Sequence, residues 1–170
     1  MLSFSYGSHL DPDLMKARCP EHHVVGMAAL HEYRLVFPLY SQDWGGGVAS
    51  VQPHHGDTVW GIVFDLNAPD LASLDADQGY RGPGDQHNVY DRELLTVELI
   101  RPDDASVPRR LRAYVYVARP SNPSPPTTPY LEIVVRGARH HRLPDDYVAA
   151  LGATPTRPLD SGSASVPPSV

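Results

Sequence analysis

The sequence predicts an α+β fold, in which short strands and separate helices pack into one domain. The chain has 13 glycines and 18 prolines among its 170 residues, a content that argues against a helix bundle and favours short elements joined by turns. Apolar residues alternate with other residues along several segments, which is the period of a strand with one buried face. The predicted helices do not alternate regularly with these strands, so a repeated βαβ arrangement is not expected.

The first half of the chain is predicted to combine short strands with one capped helix. Asp11 suits a helix N-cap and Pro12 the first helical position, so a helix is expected to run to Arg18. Apolar side chains alternate over residues 58–66, which indicates a further strand. The other predicted elements are a strand over 1–6, a turn over 6–9, one or two strands over 23–37, a loop over 38–47, a strand over 48–52 and a turn over 55–57.

The second half is predicted to hold three helices and a pair of strands. Leu71 and Leu74 share one helical face, so a helix is expected from Pro69 to Gly79. The tail from residue 153 consists largely of Pro, Ser, Thr and Gly and is expected to be disordered. The other predicted elements are a loop over 81–88, paired strands around 95–99 and 111–117 with a turn over 102–109, a proline-rich loop over 120–129, and helices over 130–140 and 144–151.

Composition excludes several classes of function. Lysine and arginine number 14 against 20 acidic residues, which gives a net charge of -6. This balance does not favour nucleic acid as a partner. No apolar run reaches the ~20 residues that span a bilayer, and the first ten residues lack the basic and apolar pattern of a secretory signal. With Cys19 as the single cysteine, no internal disulfide forms, and a cytoplasmic protein is expected.

Metal and serine-hydrolase chemistry are not expected either. Histidines occur in adjacent pairs, and neighbours on a strand point to opposite faces, so a pair seldom supplies two ligands to one metal. Ser8 lacks the GxSxG pattern of a hydrolase elbow, and Cys19 lacks a CxxC partner. The histidine pairs are 22/23, 54/55 and 140/141.

Three segments have both a functional and an ordinary interpretation. The turn over 6–9 lies between a strand and a helix, where unpaired backbone N–H groups could hold a carboxylate or an oxyanion; an ordinary tight turn is the alternative. Asp75 and Asp77 stand at a helix C-terminus, which disfavours acids, and they indicate either a functional site or a solvated helix end. The glycine run after Trp44 matches no phosphate-loop pattern, and Trp44 with its three glycines suits either a binding lid or a hairpin.

Several segments in order resemble the γ-glutamyl cyclotransferase family from about residue 3 to residue 152. Each piece alone is weak, but the series with its spacing is specific. The final tail lies outside the resemblance. The matching segments are FSYGSHL at 4–10, YRLVF at 33–37, WGGGVA at 44–49, GDTVWGIVF at 56–64, LDADQGY at 74–80, PPTTPY at 125–130, GAR at 137–139 and LPDDY at 143–147.

The resemblance implies a fold and a reaction. The fold is a small mixed β-barrel with flanking helices, formed by a γ-glutamyl cyclotransferase-like domain over 1–152, and the tail over 153–170 follows it. In the reaction, the free α-amine of a γ-glutamyl amide attacks its own γ-carbonyl, 5-oxoproline forms and the attached amine leaves. The implied partner is a small γ-glutamyl amine or γ-glutamyl amino acid, without a cofactor, metal, nucleic acid or membrane. Loops 38–47, 81–88 and 120–129 are the candidates for recognising the leaving amine.

The resemblance also assigns site residues. The loop residues would hold the substrate through backbone N–H groups, and Tyr130 matches a family tyrosine beside the glutamyl group. Gln78 occupies the position at which the family carries a glutamate that acts as general base and general acid. The substrate-binding residues implied by the loop are Tyr6, Gly7, Ser8, His9 and Leu10.

Two positions depart from the family pattern. Gln78 is neutral and cannot accept a proton near neutral pH, and loss of a general acid/base costs about 10²–10⁴ in rate. Asp77 is expected to point about 100° away around the helix and is one methylene shorter than glutamate, so it is not expected to replace the family residue. His9 stands where the family usually has asparagine; it indicates either tolerated drift or a base that substitutes for the missing glutamate.

These departures leave three hypotheses open. The chain is a γ-glutamyl cyclotransferase-type enzyme in which Gln78 was introduced to trap a ligand, or a natural relative with altered chemistry, or a non-catalytic binder of γ-glutamyl or acidic amino compounds. All three require that the turn over 6–9 and Gln78 share one cavity.

Overall fold

The computed structural model describes residues 1–102 and 108–158. The first half of the chain is mostly β-structure, and the helices lie outside the strands. The elements are β1 (Leu2–Ser5), a 3₁₀ turn (Ser8–Leu10), α1 (Pro12–Arg18), β2 (His23–Ser41), β3 (Gly46–Asp65), α2 (Ala68–Asp77), β4 (Tyr90–Pro102), β5 (Arg110–Ala118), α3 (Thr128–His140) and α4 (Asp145–Gly152).

The five strands close into a barrel in the order β1-β3-β2-β4-β5. β1 pairs antiparallel with β3 and parallel with β5, so this short strand closes the barrel. The other described pairs, β2–β3, β2–β4 and β4–β5, are antiparallel. The mixed barrel with flanking helices confirms the predicted α+β class and the fold implied by the family resemblance.

The core fills the barrel and the space beneath α3. Phe4, Ile62 and Phe64 are at most 2% exposed. In α3, the buried residues recur at helical spacing, which places one apolar face of the helix against the barrel. These residues are Tyr130, Leu131, Val134, Val135, Gly137 and Ala138. The predicted helix over 130–140 is thus confirmed, with its start two residues earlier.

β2 and β3 form one long hairpin, and two predictions about it were wrong. β2 continues to Ser41 and β3 begins at Gly46, so most of the predicted loop over 38–47 is strand. The predicted turn over 55–57 is an irregularity within β3, because pairing resumes on both sides of it. There Glu32 (φ 63°) accepts hydrogen bonds from His55 Nδ1 at 2.7 Å and the Gly56 N–H at 3.0 Å. The polar residues that suggested a turn therefore form a bulge, because the hydrogen bonds along the long β2–β3 pair outweigh the local preference for a turn.

The other elements largely match the sequence predictions. α1 is capped by Asp11, whose Oδ1 accepts from the Asp13 and Leu14 N–H groups. α2 begins after an Asn67 cap that the sequence analysis did not identify. The predicted turn over 102–109 falls mainly on residues 103–107, outside the described residues. No helix in the described part of the chain is long and apolar enough to cross a bilayer.

The predicted disordered tail is described only as far as residue 158. The Arg157 N–H donates to Pro126 O at 2.9 Å, and the hydroxyls of Thr128 and Thr156 lie 3.0 Å apart. Residues 156 and 157 therefore contact the start of α3 and the segment before it, and the domain boundary at residue 152 stays a prediction. The rest of the predicted tail, residues 159–170, lies outside the described residues.

Candidate active site

A cavity of about 350 Å³ lies among the 3₁₀ turn, the end of α2, the β2–β3 hairpin and the start of α3. Its volume falls at the small end of the range of ligand pockets. Six of the seven predicted site residues line it, namely Tyr6, Gly7, Ser8, His9, Gln78 and Tyr130. Leu10 lies outside the lining and is fully buried. The shared cavity required by all three hypotheses is present.

The turn presents backbone N–H groups at the cavity wall. Leu10 N–H donates to Gly7 O and Asp11 N–H donates to Ser8 O, each at 3.0 Å. Within the described chain, the N–H groups of Gly7 and His9 donate no hydrogen bond. A Cβ on Gly7 would lie 3.2 Å from Ala49 Cβ, so a larger residue would crowd the turn. The turn thus has donors to offer to an anionic or carbonyl oxygen.

Packing behind the cavity fixes the position of this turn. Leu10 packs against α3 at Gly137, where an added Cβ would be 2.4 Å from the Leu10 carbonyl carbon. The buried Asp11 carboxylate accepts from Arg136 Nε at 2.6 Å as well as capping α1. These contacts keep the pKa of Asp11 below its usual value, because the hydrogen bonds and charge of Arg136 and the capping N–H groups outweigh the opposing effect of burial.

Buried tyrosines hold the cavity wall together. Tyr130 accepts a hydrogen bond from the Ala49 N–H at 2.9 Å, and Tyr90 donates to Ala49 O at 2.9 Å. The Tyr6 hydroxyl donates to Tyr116 O. Burial raises the pKa of Tyr130 to about 12. Burial also raises the pKa values of Tyr6, Tyr90 and Tyr116 well above their usual range. These phenols therefore serve as neutral hydrogen-bonding groups near pH 7.

At the end of α2, the side chain of Asp77 has a different direction from the one predicted. Asp77 was expected to point away from the position of Gln78, and this prediction was wrong, because both residues line the cavity. The helix ends at Asp77, and Gln78 is its C-cap, so helical angles no longer separate the two side chains. Gln78 Nε2 donates to Asp77 Oδ2 at 3.1 Å.

Asp77 also binds two cationic or ionisable side chains. His9 Nε2 lies 3.1 Å from Asp77 Oδ2, and Arg18 Nη2 lies 2.6 Å from Asp77 Oδ1. Burial acts to raise the pKa of Asp77, but the bonds and charges of His9, Arg18 and Gln78 outweigh it, and the pKa is lowered. Asp77 is therefore an ionised carboxylate that joins the turn, α1 and the end of α2.

Asp75 has a structural role at the same helix end. It accepts from the Tyr116 hydroxyl and from Arg92 Nη1, both at 2.6 Å. Arg92 also lies over the rings of Tyr80 and Tyr114. The unfavourable acid at the helix C-terminus is thus compensated by a partner cation on β4, and the end of α2 is fastened to the barrel.

The cavity walls differ in part from those expected. Residues of the 38–47 segment line the cavity, and the Trp44 ring packs edge-on against Tyr130 at 5.1 Å between centroids. Among described residues, neither 81–88 nor 120–129 contributes to the lining. Three lining residues were not predicted, because nothing in their local sequence marks them; these are Arg18, Tyr90 and Tyr116. Barrel closure and the packing of α1 bring them to the cavity.

Comparisons with known proteins agree with this geometry. The sequence profile described as the AIG2-like family matches residues 58–151. Human gamma-glutamylcyclotransferase is 29% identical over 156 residues, and the mouse protein of that name is 28% identical; each alignment covers 89% of this chain and 77% of the relative. A solved structure named gamma-glutamyl cyclotransferase has a TM-score of 0.81 at 28% identity and covers 92% of this chain and 89% of its own. The matched profile spans more than half of the chain, including the end of α2 and Tyr130, and the chain therefore belongs to the AIG2-like family.

Proposed function

We propose that this chain catalyses the intramolecular cyclisation of a γ-glutamyl amide to 5-oxoproline with release of the amine. The observation that carries the proposal is the cavity that joins the 6–9 turn, Tyr130 and the end of α2. The relatives named gamma-glutamylcyclotransferase, which align over most of this chain, support the same reaction. A cavity of about 350 Å³ accommodates a small γ-glutamyl compound.

The reaction suits a cavity without a dedicated nucleophile. The attacking amine and the carbonyl belong to one molecule, so holding the substrate in a bent conformation supplies much of the rate enhancement. The free N–H groups of Gly7 and His9 would bind the oxygen that becomes negative as the amine adds. Tyr6 and Ser8 shape the turn, Tyr130 closes the cavity, and Leu10 supports the turn from behind.

Gln78 favours a second candidate function. A neutral amide stands at the position of the family's acid/base glutamate, and it can bind a ligand without exchanging protons near pH 7. A non-catalytic binder of γ-glutamyl or acidic amino compounds would retain the turn and Tyr130 and lack turnover. A specialised relative with a different proton carrier would retain both the cavity and turnover.

A 5-oxoproline release assay tests the proposal. The chain as given and its Gln78→Glu variant would be incubated with a panel of γ-glutamyl amines and γ-glutamyl amino acids. Two control substrates are an α-glutamyl amide, which has no γ-amide to break, and an N-acetylated γ-glutamyl amide, which has no free amine to attack. Release from the γ-glutamyl panel alone is the expected result.

Calorimetry with the same panel distinguishes the second candidate. Ligand binding without 5-oxoproline release by the chain as given would favour the binder. Failure of both forms to bind or convert any γ-glutamyl compound would overturn both functions.

A further inference from the structure

We propose that His9 carries the proton in this cavity, with Asp77 as the residue that positions its ring; this inference rests on the proposed function. The two side chains come from distant parts of the chain and meet at the cavity wall through His9 Nε2 and Asp77 Oδ2, 3.1 Å apart. Their side chains are 14% and 18% exposed, respectively, so the contact is largely shielded from solvent.

Asp77 itself is poorly suited to accept the proton. One of its oxygens accepts from His9 and Gln78, and the other accepts from Arg18 at 2.6 Å. Three donors and a guanidinium charge stabilise the ionised form, and the pKa of Asp77 is lowered although burial opposes this. A carboxylate held in this way is a weak base and a strong orienting group.

The ring of His9 is left with one nitrogen available. A carboxylate only accepts hydrogen bonds, so the nitrogen that faces Asp77, Nε2, carries a hydrogen. In the neutral ring the lone pair is then on Nδ1. Within the described residues, Nδ1 has no hydrogen-bond partner. It also does not belong to the buried polar atoms that lack both solvent and a partner. Nδ1 is thus the free, accessible nitrogen of a residue that lines the cavity.

The imidazole lies close to the position of the family glutamate. His9 Nε2 and Gln78 Nε2 are each 3.1 Å from the same oxygen of Asp77, so they are at most twice that distance apart. The glutamine also fits the arrangement better than a glutamate. Its amide donates to Asp77, whereas a carboxylate there would place two negative charges side by side. Histidine at position 9 and glutamine at position 78 both differ from the family pattern, and both suit a site in which Asp77 is the ionised acceptor.

The proton balance of the proposed step is simple. The bound α-ammonium group loses one proton to water, and Nδ1 takes a second as the nitrogen bonds to the γ-carbon. The ring then returns this proton to the departing nitrogen as the old C–N bond breaks. The products are 5-oxoproline and a neutral amine, which takes a proton from water after release, and the ring is neutral again. Asp77 stabilises the imidazolium that exists between the two transfers.

Other ionisable groups of the cavity bear on which side chain carries the proton. Arg18 from α1, Asp77 from α2 and Asp43 from the β2–β3 connection are the charged groups that line it with His9. Tyr40 from β2 also lines it. Four further phenols stay protonated because burial raises their pKa values; these are Tyr6, Tyr90, Tyr116 and Tyr130. Imidazole is the side-chain type in this set that general acid/base catalysis uses most often.

The competing explanation is structural, since the contact also fastens the turn to α2. His9→Gln separates the two roles, because its Nε2 can still donate to Asp77 while the amide cannot carry a proton. We expect kcat for 5-oxoproline release to fall by about 10²–10⁴, with the melting temperature and the calorimetric affinity for 5-oxoproline unchanged. His55→Gln is the matched control, since its side chain is 99% exposed on the β2–β3 bulge, and it should keep wild-type turnover.

Two further variants complete the experiment. His9→Asn combined with Gln78→Glu returns both positions to the family pattern and should recover at least about tenfold of the kcat lost in His9→Asn. Asp77→Asn should lower kcat more than it changes KM.

The outcomes separate this inference from the proposed function. Wild-type turnover that survives in His9→Gln within about threefold overturns the role of His9 and leaves the proposed function intact. An inactive chain whose Gln78→Glu variant turns over also overturns it, because His9 then fails to serve as the base. If Asp77→Asn changes KM more than it lowers kcat, the positioning role of Asp77 is overturned. Inactivity of all variants on every γ-glutamyl substrate overturns both proposals.

Discussion

The hydroxyl of Tyr130 illustrates how single atoms hold the candidate site together. It is the acceptor for the Ala49 N–H, while Ala49 O accepts from Tyr90. Both tyrosines are fully or almost fully buried, so each of these polar groups depends on its protein partner. The cavity wall at β3 is therefore fixed by two phenols that come from α3 and β4.

Replacing Tyr130 with phenylalanine should destabilise the protein and impair the site. The Ala49 N–H would lose its partner in a buried position, which costs about 1–3 kcal/mol. Urea denaturation would measure the free energy of unfolding, and the 5-oxoproline assay the activity. Tyr33→Phe is a suitable control, because among the described residues the Tyr33 hydroxyl has no hydrogen-bond partner. Equal stability of the two variants would contradict the role given to Tyr130.

Asp11 should make stability depend on acid pH. Its pKa is lowered in the folded protein, so its contribution is present above the unfolded value of about 3.9 and is lost as the pH falls through the folded value. Asp11→Asn should therefore be less stable than the wild type at pH 7, by about 1.5–3 kcal/mol for a charged hydrogen bond. The difference should shrink as urea titrations are repeated at pH values from 7 towards 3.

Asp13→Asn provides the comparison for that titration. Asp13 is exposed on the same helix and its carboxylate has no hydrogen-bond or ion-pair partner within the described chain. Its variant should follow the wild type across the pH range. A constant difference between Asp11→Asn and the wild type at all pH values would contradict the assignment of the charge effect to Asp11.

At the scale of elements, the contact between α3 and the 3₁₀ turn decides where the turn lies. Gly137 allows the helix backbone to approach Leu10, and Arg136 in the same helix binds Asp11. The turn is thus held by a helix that follows it by more than a hundred residues. The same arrangement applies to α2, whose end is bound to α1 through Asp77 and Arg18 and to β4 through Asp75 and Arg92.

Gly137→Ala should disturb the turn and the activity together. The new methyl group would lie 2.4 Å from the Leu10 carbonyl carbon, and such overpacking costs about 1–3 kcal/mol. Urea denaturation and the 5-oxoproline assay should both show the loss. Gly152→Ala, at the end of α4 with no atom within 4 Å of the added Cβ, should leave stability unchanged or slightly raised. Equal effects of the two changes would argue against close packing at Gly137.

At the scale of the whole molecule, the packing of α1 and α2 against the rest of the fold buries the single cysteine. Cys19 is fully buried, and its Sγ lies 3.4 Å from Asp70 O. Burial raises the pKa of the thiol to about 12, with further contributions from Asp70 and Asp77. Reaction with a thiol reagent requires both access and the thiolate form, so labelling of the native protein should depend on opening of the fold.

Cys19 labelling should therefore report unfolding. With Ellman's reagent at pH 8, we expect little reaction in native buffer and complete reaction of one thiol in urea above the unfolding transition. Gly137→Ala should accelerate labelling in native buffer, by about tenfold for each ~1.4 kcal/mol of stability lost. Fast stoichiometric labelling of the stable wild type would contradict the burial of Cys19.

The sequence alone determined the features that depend on neighbouring residues. Asp11 and Pro12 identified the start of α1, alternation identified the strand around Ile62, and the ordered motifs indicated the family and the cavity that joins the 6–9 turn to Gln78. Tertiary structure decided the features that depend on distant residues. In the structure, the predicted turn at 55–57 is a bulge in a long hairpin, and the side chain of Asp77 lies at the cavity beside His9 and Arg18. The physical reason is that strand pairing, barrel closure and ion pairing are set by contacts between segments far apart in the chain, which no local pattern specifies.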